Sequence, residues 1–84
     1  MTNKEILKKQ IIYRSTHRGA KEMDLLLGSF VKKYINEFND EELKYLEDLL
    51  FIEDEIIYKW YFEKNSDNSI PNTKVSTMLK NFKL

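Results

Sequence analysis

One short stretch of this chain concentrates residue types suited to recognition chemistry: His17-Arg18-Gly19-Ala20-Lys21-Glu22. The chain holds twelve Lys but only two Arg, and those are Arg14 and Arg18, four positions apart around this stretch. Where lysine is the usual cation, an arginine points to a need for its planar, bidentate donor fork. Glu22 lies one helical turn beyond Arg18, so the two either present a fixed charge pattern to a partner or bond to each other. Gly19, one of two glycines, is expected to let the chain turn sharply between helices, because it reaches positive φ without a Cβ clash. Asp24 follows near the start of the next helix, where the helix dipole favours an acid.

Simpler readings stand beside these. Gly19 could be a helix C-cap only, and Arg18–Glu22 a surface pair worth a few tenths of a kcal/mol. Gly28, inside a helical pattern, costs about 1 kcal/mol relative to alanine, and close approach of another helix explains it better than flexibility. Catalysis finds little support. There is no Cys and one His, so neither a multi-histidine nor a thiolate metal site can be assembled, and no His–acid constellation resembling an activated nucleophile is visible. No Gly-rich phosphate cradle occurs.

The elements that must position these residues are helical. The 84 residues provide one domain and one core, and with two Gly and one Pro there is little punctuation for a sheet. A first helix is expected over residues 3–16, capped by Thr2 or Asn3, with Leu7, Ile11, Ile6 and Arg14 on one face. A second begins near Arg18–Gly19 and runs to about Asn36, with Met23, Leu27, Phe30 and Tyr34 as its stripe and Leu26 and Val31 widening it. Asn39 or Asp40 caps a third, buried along Leu43, Leu46, Leu49 and Leu50. A fourth spans roughly residues 53–63, carrying Ile56, Ile57, Trp60 and Tyr61. After a polar loop from Lys64 to Ser69 and Pro71, a fifth covers about 73–82 with Val75, Met78, Leu79 and Phe82 in phase. Isolated helices this short are marginal. The expectation is an all-α fold: a single-domain, compact bundle of about five short helices over residues 1–84, with the second helix central. Trp60, Met23 and Met78 are assigned to the core, whereas Tyr13, Tyr58 and Tyr61 are candidates for either core or contact surface.

Fourteen basic residues balance fourteen acidic ones. Phosphate-coating proteins carry a basic excess, so no nucleic-acid partner is expected. No run of about 18 apolar residues is present to span a membrane, and the N-terminal residues lack a signal-peptide pattern. A cytoplasmic protein is expected, unless an organelle presequence has been removed, and one that is monomeric when free.

The segment Tyr13-Arg14-Ser15-Thr16-His17-Arg18-Gly19-Ala20-Lys21-Glu22-Met23-Asp24-Leu25-Leu26-Leu27-Gly28-Ser29-Phe30 closely resembles the signature of the succinate dehydrogenase assembly factor 2 family, whose bacterial members are called FAD assembly factors, or SdhE. The family motif is Arg-Gly-x-x-Glu, then an acidic residue and an aliphatic run ending in Phe: here Arg18, Gly19, Glu22, Asp24, Leu25 to Leu27 and Phe30. Leu49-Leu50, the acidic pair Glu53-Asp54 and Trp60 match further family positions. Thr16 and His17 stand where many members have basic residues, and Ala20 stands where Met is usual. The resemblance implies a five-helix protein without a catalytic site of its own. It would bind the flavoprotein subunit of succinate dehydrogenase, or of fumarate reductase, and promote covalent attachment of that subunit's histidine to the 8α position of FAD. FAD would then belong to the client and not be held stably by this chain. Arg18, Gly19 and Glu22 would make the partner contact, with Asp24, His17 and Arg14 supporting it. Ile12-Tyr13-Arg14 also resembles the Leu-Tyr-Arg signature of another class of small helical assembly proteins. A helix-turn-helix nucleic-acid binder and an antitoxin are the remaining alternatives.

Overall fold

The computed structural model describes residues 2–66 and 68–84. Five α-helices follow one another: α1 (Asn3–Thr16), α2 (Lys21–Tyr34), α3 (Asp40–Leu50), α4 (Asp54–Phe62) and α5 (Lys74–Asn81), with a 3-10 turn at Ile35–Glu37 after α2. No strand occurs among the described residues. The expected polar loop runs from the end of α4 to α5. Its Asp67 lies outside the described residues.

The helix ends follow from their capping chemistry. The Thr2 side chain accepts from the Glu5 backbone N–H at 3.1 Å to start α1. Asn39 and Glu42 form a reciprocal capping box at α3, at 2.8 and 2.9 Å, and Thr73 and Ser76 form one at α5. The α4 helix closes through Lys64, which takes a positive φ of 59°, and Asn65 N–H donates back to the Lys59 carbonyl at 3.1 Å. That is the wrapped C-terminal geometry usually given to glycine.

The apolar stripes meet in one core. Helix α2 contributes Met23, Leu26, Leu27, Phe30 and Val31 to it, and α3 contributes Leu43, Leu46, Leu49 and Leu50. The helix pairs in closest touch are α1 with α2, α1 with α3, and α3 with α5, while α2, expected to be central, supplies five buried apolar residues against one from α1. Phe30 sits in an aromatic group with Tyr34, Phe38 and Phe82, at centroid separations of 5.1, 6.3 and 5.4 Å. Trp60 and Tyr61 are buried, and the Tyr61 hydroxyl donates to the Phe82 carbonyl, fastening the end of α5 to α4. Met23 is fully buried, and Met78 packs half-buried against the core. Ile6, expected on the inner face of α1, is exposed. It lies about 140° around the helix from Ile11, the fully buried apolar residue of α1.

Gly28 answers to close helix approach. A Cβ built there would lie 3.3 Å from Thr16 Cγ2, so the end of α1 comes close to α2 where α2 has no side chain.

Candidate partner-binding site

The site grows from the way α1 stops. The Ser15 and Thr16 hydroxyls both donate to the Ile12 carbonyl, at 2.8 and 3.0 Å, and His17 leaves helical geometry at φ −121°, ψ 53°. His17 Nδ1 lies 2.8 Å from the Tyr13 carbonyl oxygen. A carbonyl can only accept, so Nδ1 carries the hydrogen of that bond. The imidazole also stacks on the Tyr13 ring, with centroids 3.8 Å apart.

Arg18 then turns inward. Its Nε and Nη2 both reach Asp54 Oδ1 at 2.7 Å. Nη1 donates to the Leu50 carbonyl at 2.6 Å and more weakly to the Arg14 carbonyl at 3.4 Å, while Nη2 also donates to the Ile52 carbonyl at 3.0 Å. The side chain is only 10% exposed. The Leu50 and Ile52 carbonyls belong to the end of α3 and the α3–α4 connection, where a helix leaves its last C=O groups without intrahelical partners. One guanidinium thus satisfies the end of α3, pairs with the first residue of α4 and locks both to the α1–α2 turn. A lysine, with one compact charge, lacks the fork this needs.

The backbone around the guanidinium is held as well. Arg18 N–H donates to Asp24 Oδ1 at 2.6 Å, and Gly19 N–H donates to Asp54 Oδ2 at 3.1 Å. Asp24 therefore does more than complement the α2 dipole: it fixes the turn from one helical turn ahead. Gly19 departs from the expectation of a positive φ, since neither glycine has one. A Cβ there would find only Asp54 Oδ2, at 3.9 Å. Neither backbone conformation nor packing inside the chain demands glycine at this exposed position, and the C-cap of α1 is His17 instead.

The Arg18–Glu22 pair considered from spacing does not form, because Asp54 takes the guanidinium. Glu22 stands exposed on the first turn of α2, with no hydrogen-bond or ion-pair partner among the described residues. Arg14 reaches Glu47 at 3.4 Å, and its guanidinium lies 4.5 Å above the Phe51 ring. Tyr13 and Phe51 are 62% and 64% exposed, the two most exposed aromatic rings among the described residues. They flank a shallow groove of about 450 Å³ lined by Arg14, His17, Arg18 and Asp54. The structure brings Arg14, His17, Arg18, Gly19 and Asp24 together with two residues that sequence reasoning had not assigned to the site, Asp54 and Phe51, whereas Glu22 makes no contact with them. Asp54 was visible only as half of an acidic pair. Phe51 could have been suspected because it follows the buried Leu43, Leu46 and Leu50 out of phase.

Fold and site together define a small all-α protein in which the charged Arg18–Asp54 joint ties the α1–α2 turn to α4, with ionic and aromatic groups displayed above it. No group of three His, Cys, Asp or Glu residues among the described residues is arranged to hold a metal, and no described helix is long and apolar enough to cross a membrane. The chain belongs to the family described as flavinator of succinate dehydrogenase, whose model matches residues 9–83. It is similar to the mitochondrial succinate dehydrogenase assembly factor 2 of Scheffersomyces stipitis, 42% identical over 77 residues, covering 90% of this chain and 52% of that protein. The same-named protein of Saccharomyces cerevisiae is 37% identical over 87 residues, covering 96% and 54%. Assembly factor 2-A of Drosophila willistoni is 35% identical over 78 residues, covering 90% and 50%. The chain therefore spans about half the length of these curated relatives. No solved structure matches it.

Proposed function

We propose that this chain is an assembly factor that binds the flavoprotein subunit of succinate dehydrogenase and promotes covalent attachment of its FAD. The family match across residues 9–83 carries the reading. In this reading the chain performs no chemistry itself. The flavin and the client's histidine supply the reactive atoms, and the factor holds the client in a geometry that favours their union. FAD enters as part of the client's reaction.

The client contact is assigned to the surface above the Arg18–Asp54 joint. Glu22 offers a carboxylate that is not consumed inside the chain, able to accept charge-assisted bonds from a cationic group. Gly19 leaves the surface low, so a partner backbone can approach closely. His17 and Arg14 add donors, with Tyr13 and Phe51 as aromatic ground. Arg18 and Asp24 serve from beneath by holding the turn in shape.

The test is co-expression with the cognate flavoprotein subunit, reading covalent flavin by in-gel fluorescence after denaturation. Wild-type chain raises the signal over the flavoprotein alone. Glu22→Ala, with unchanged circular dichroism, lowers it. No rise with the wild type would overturn the function. A full rise with Glu22→Ala and with Gly19→Arg would move the contact elsewhere.

A further inference from the structure

A second surface lies on the other side of α1. Ile12 and Arg14 are two residues apart, about 200° around a helix, so the face carrying Ile12 points away from the Arg14–Phe51 pair. There α1 and α2 enclose a groove of about 310 Å³, lined by Ile12, Thr16, Gly28, Val31, Lys32 and Ile35. Its floor is apolar. Gly28 is what makes it a groove, because a side chain at this position would stand between the helices. At one end the Lys8 ammonium donates to Asn36 Oδ1 at 3.2 Å.

Two features go beyond an ordinary crevice. Ile12 and Leu25 are 45% and 59% exposed. Leu25 continues the groove along α2, since Lys21, Leu25, Gly28 and Lys32 recur at spacings of four, three and four and share one stripe. The apolar strip is also flanked by cations. Neither Lys21 nor Lys32 has a carboxylate partner among the described residues. Lys8 adds a third ammonium, engaged among the described residues only with a neutral amide. In a chain of zero net charge, these positive groups around an apolar slot are a local asymmetry that no internal pairing accounts for.

We infer that the α1–α2 groove is a docking site for an acidic amphipathic helix of a partner protein. Branched aliphatic side chains of that helix seat over Gly28, between Ile12 and Leu25, and its flanking carboxylates meet Lys8, Lys21 and Lys32. Apolar anchors at helical spacing supply affinity in such a groove, and the lysines set the sign of partner that is accepted. The inference does not rest on the client contact proposed above: the groove faces away from Arg14 and Phe51, and only Lys21 and Leu25 stand near Glu22, at the start of α2.

The test is an NMR titration of the full chain with two synthetic helical peptides, each carrying leucines at one-turn spacing. One has glutamates and the other lysines at the flanking positions. The glutamate peptide is expected to shift the amides of Gly28, Val31 and Ile35 and to bind at least tenfold more tightly than the lysine peptide. The double variant Lys21→Glu plus Lys32→Glu, at exposed positions, should keep its circular dichroism spectrum and reverse that preference. Equal affinity for the two peptides, shifts confined to Tyr13 and Phe51, or no shifts at all would each overturn the inference. Amide shifts that depend on protein concentration without peptide would overturn it in favour of a second copy of the chain.

Discussion

The Arg18 guanidinium and the Asp54 carboxylate meet at 2.7 Å across 36 positions of sequence, joining the α1–α2 turn to the start of α4. The pair is largely removed from solvent and embedded among backbone carbonyls, so removing one partner strands the other. Breaking such a pair costs about 3 kcal/mol. Arg18→Ala should therefore lower unfolding free energy by roughly 2–4 kcal/mol, measured by urea denaturation. Arg18→Lys should recover only part of that, because the carbonyls of Leu50 and Ile52 lose their donors. If Arg18→Ala unfolds at the wild-type urea midpoint, the joint is not a structural element.

Gly19 separates surface function from stability more cleanly. Its φ is not in the left-handed region and its Cβ position is open. Gly19→Ala should thus leave stability within about 0.5 kcal/mol of wild type, or raise it slightly by restricting the unfolded chain. Gly19→Arg should fold equally well and lose covalent flavin in the co-expression assay through bulk alone. A destabilisation above about 2 kcal/mol in Gly19→Ala would show that this turn needs glycine for its own conformation.

Much of the fold was legible in the sequence because most helices carry a strong apolar stripe and a recognisable cap. Asn39 with Glu42, and Thr73 before Val75 and Leu79, announce α3 and α5 within a residue or two. Legibility failed where a feature depends on distance in space. Spacing along one helix nominates Glu22 as the partner of Arg18. Only the packing of α3 against α1, with α4 following it, brings Asp54 there first, and no local pattern encodes that choice. Ile6 misled for a related reason. Helix α1 is rich in Lys and its apolar residues are spread around it, so its inner face is set by its neighbours.

The aromatic residues divide by burial, and their truncations should divide with them. Trp60 is 7% exposed, with the Lys80 ammonium 5.1 Å from its ring centroid. Trp60→Ala should cost about 3–5 kcal/mol and abolish cooperative thermal unfolding if the margin is small. Tyr61→Phe, which deletes only the donor to the Phe82 carbonyl, should cost about 1 kcal/mol. Tyr13→Ala should change stability by less than about 0.5 kcal/mol while weakening client binding. A Trp60→Ala protein as stable as Tyr13→Ala would contradict this division.

The attachment of α5 to α3 should depend on pH through Glu42. Its carboxylate accepts from Lys74 Nζ at 2.8 Å and from the Asn39 backbone N–H at 2.9 Å. The bond to Lys74, then that to Asn39, holds its pKa below the ordinary 4.5, while Glu42 in turn raises Lys74 above 10.5. A carboxyl with a lowered folded-state pKa contributes stability that is fully present above its unfolded value. That contribution fades as pH falls through about 4.5 and is gone once pH passes below the folded value. Lys74 has the opposite sign: its contribution is present below about 10.5 and is lost as pH rises past its raised value. Stability between these limits should be flat in both groups. Glu42→Gln should lower stability at pH 7 and shrink the loss of stability between pH 5 and pH 3. Lys74→Met should also shrink the acid loss, but less, because the capping bond from Asn39 survives. Denaturation midpoints measured every half unit of pH would decide the matter. An acid limb in Glu42→Gln as steep as in the wild type would assign acid sensitivity to other carboxylates.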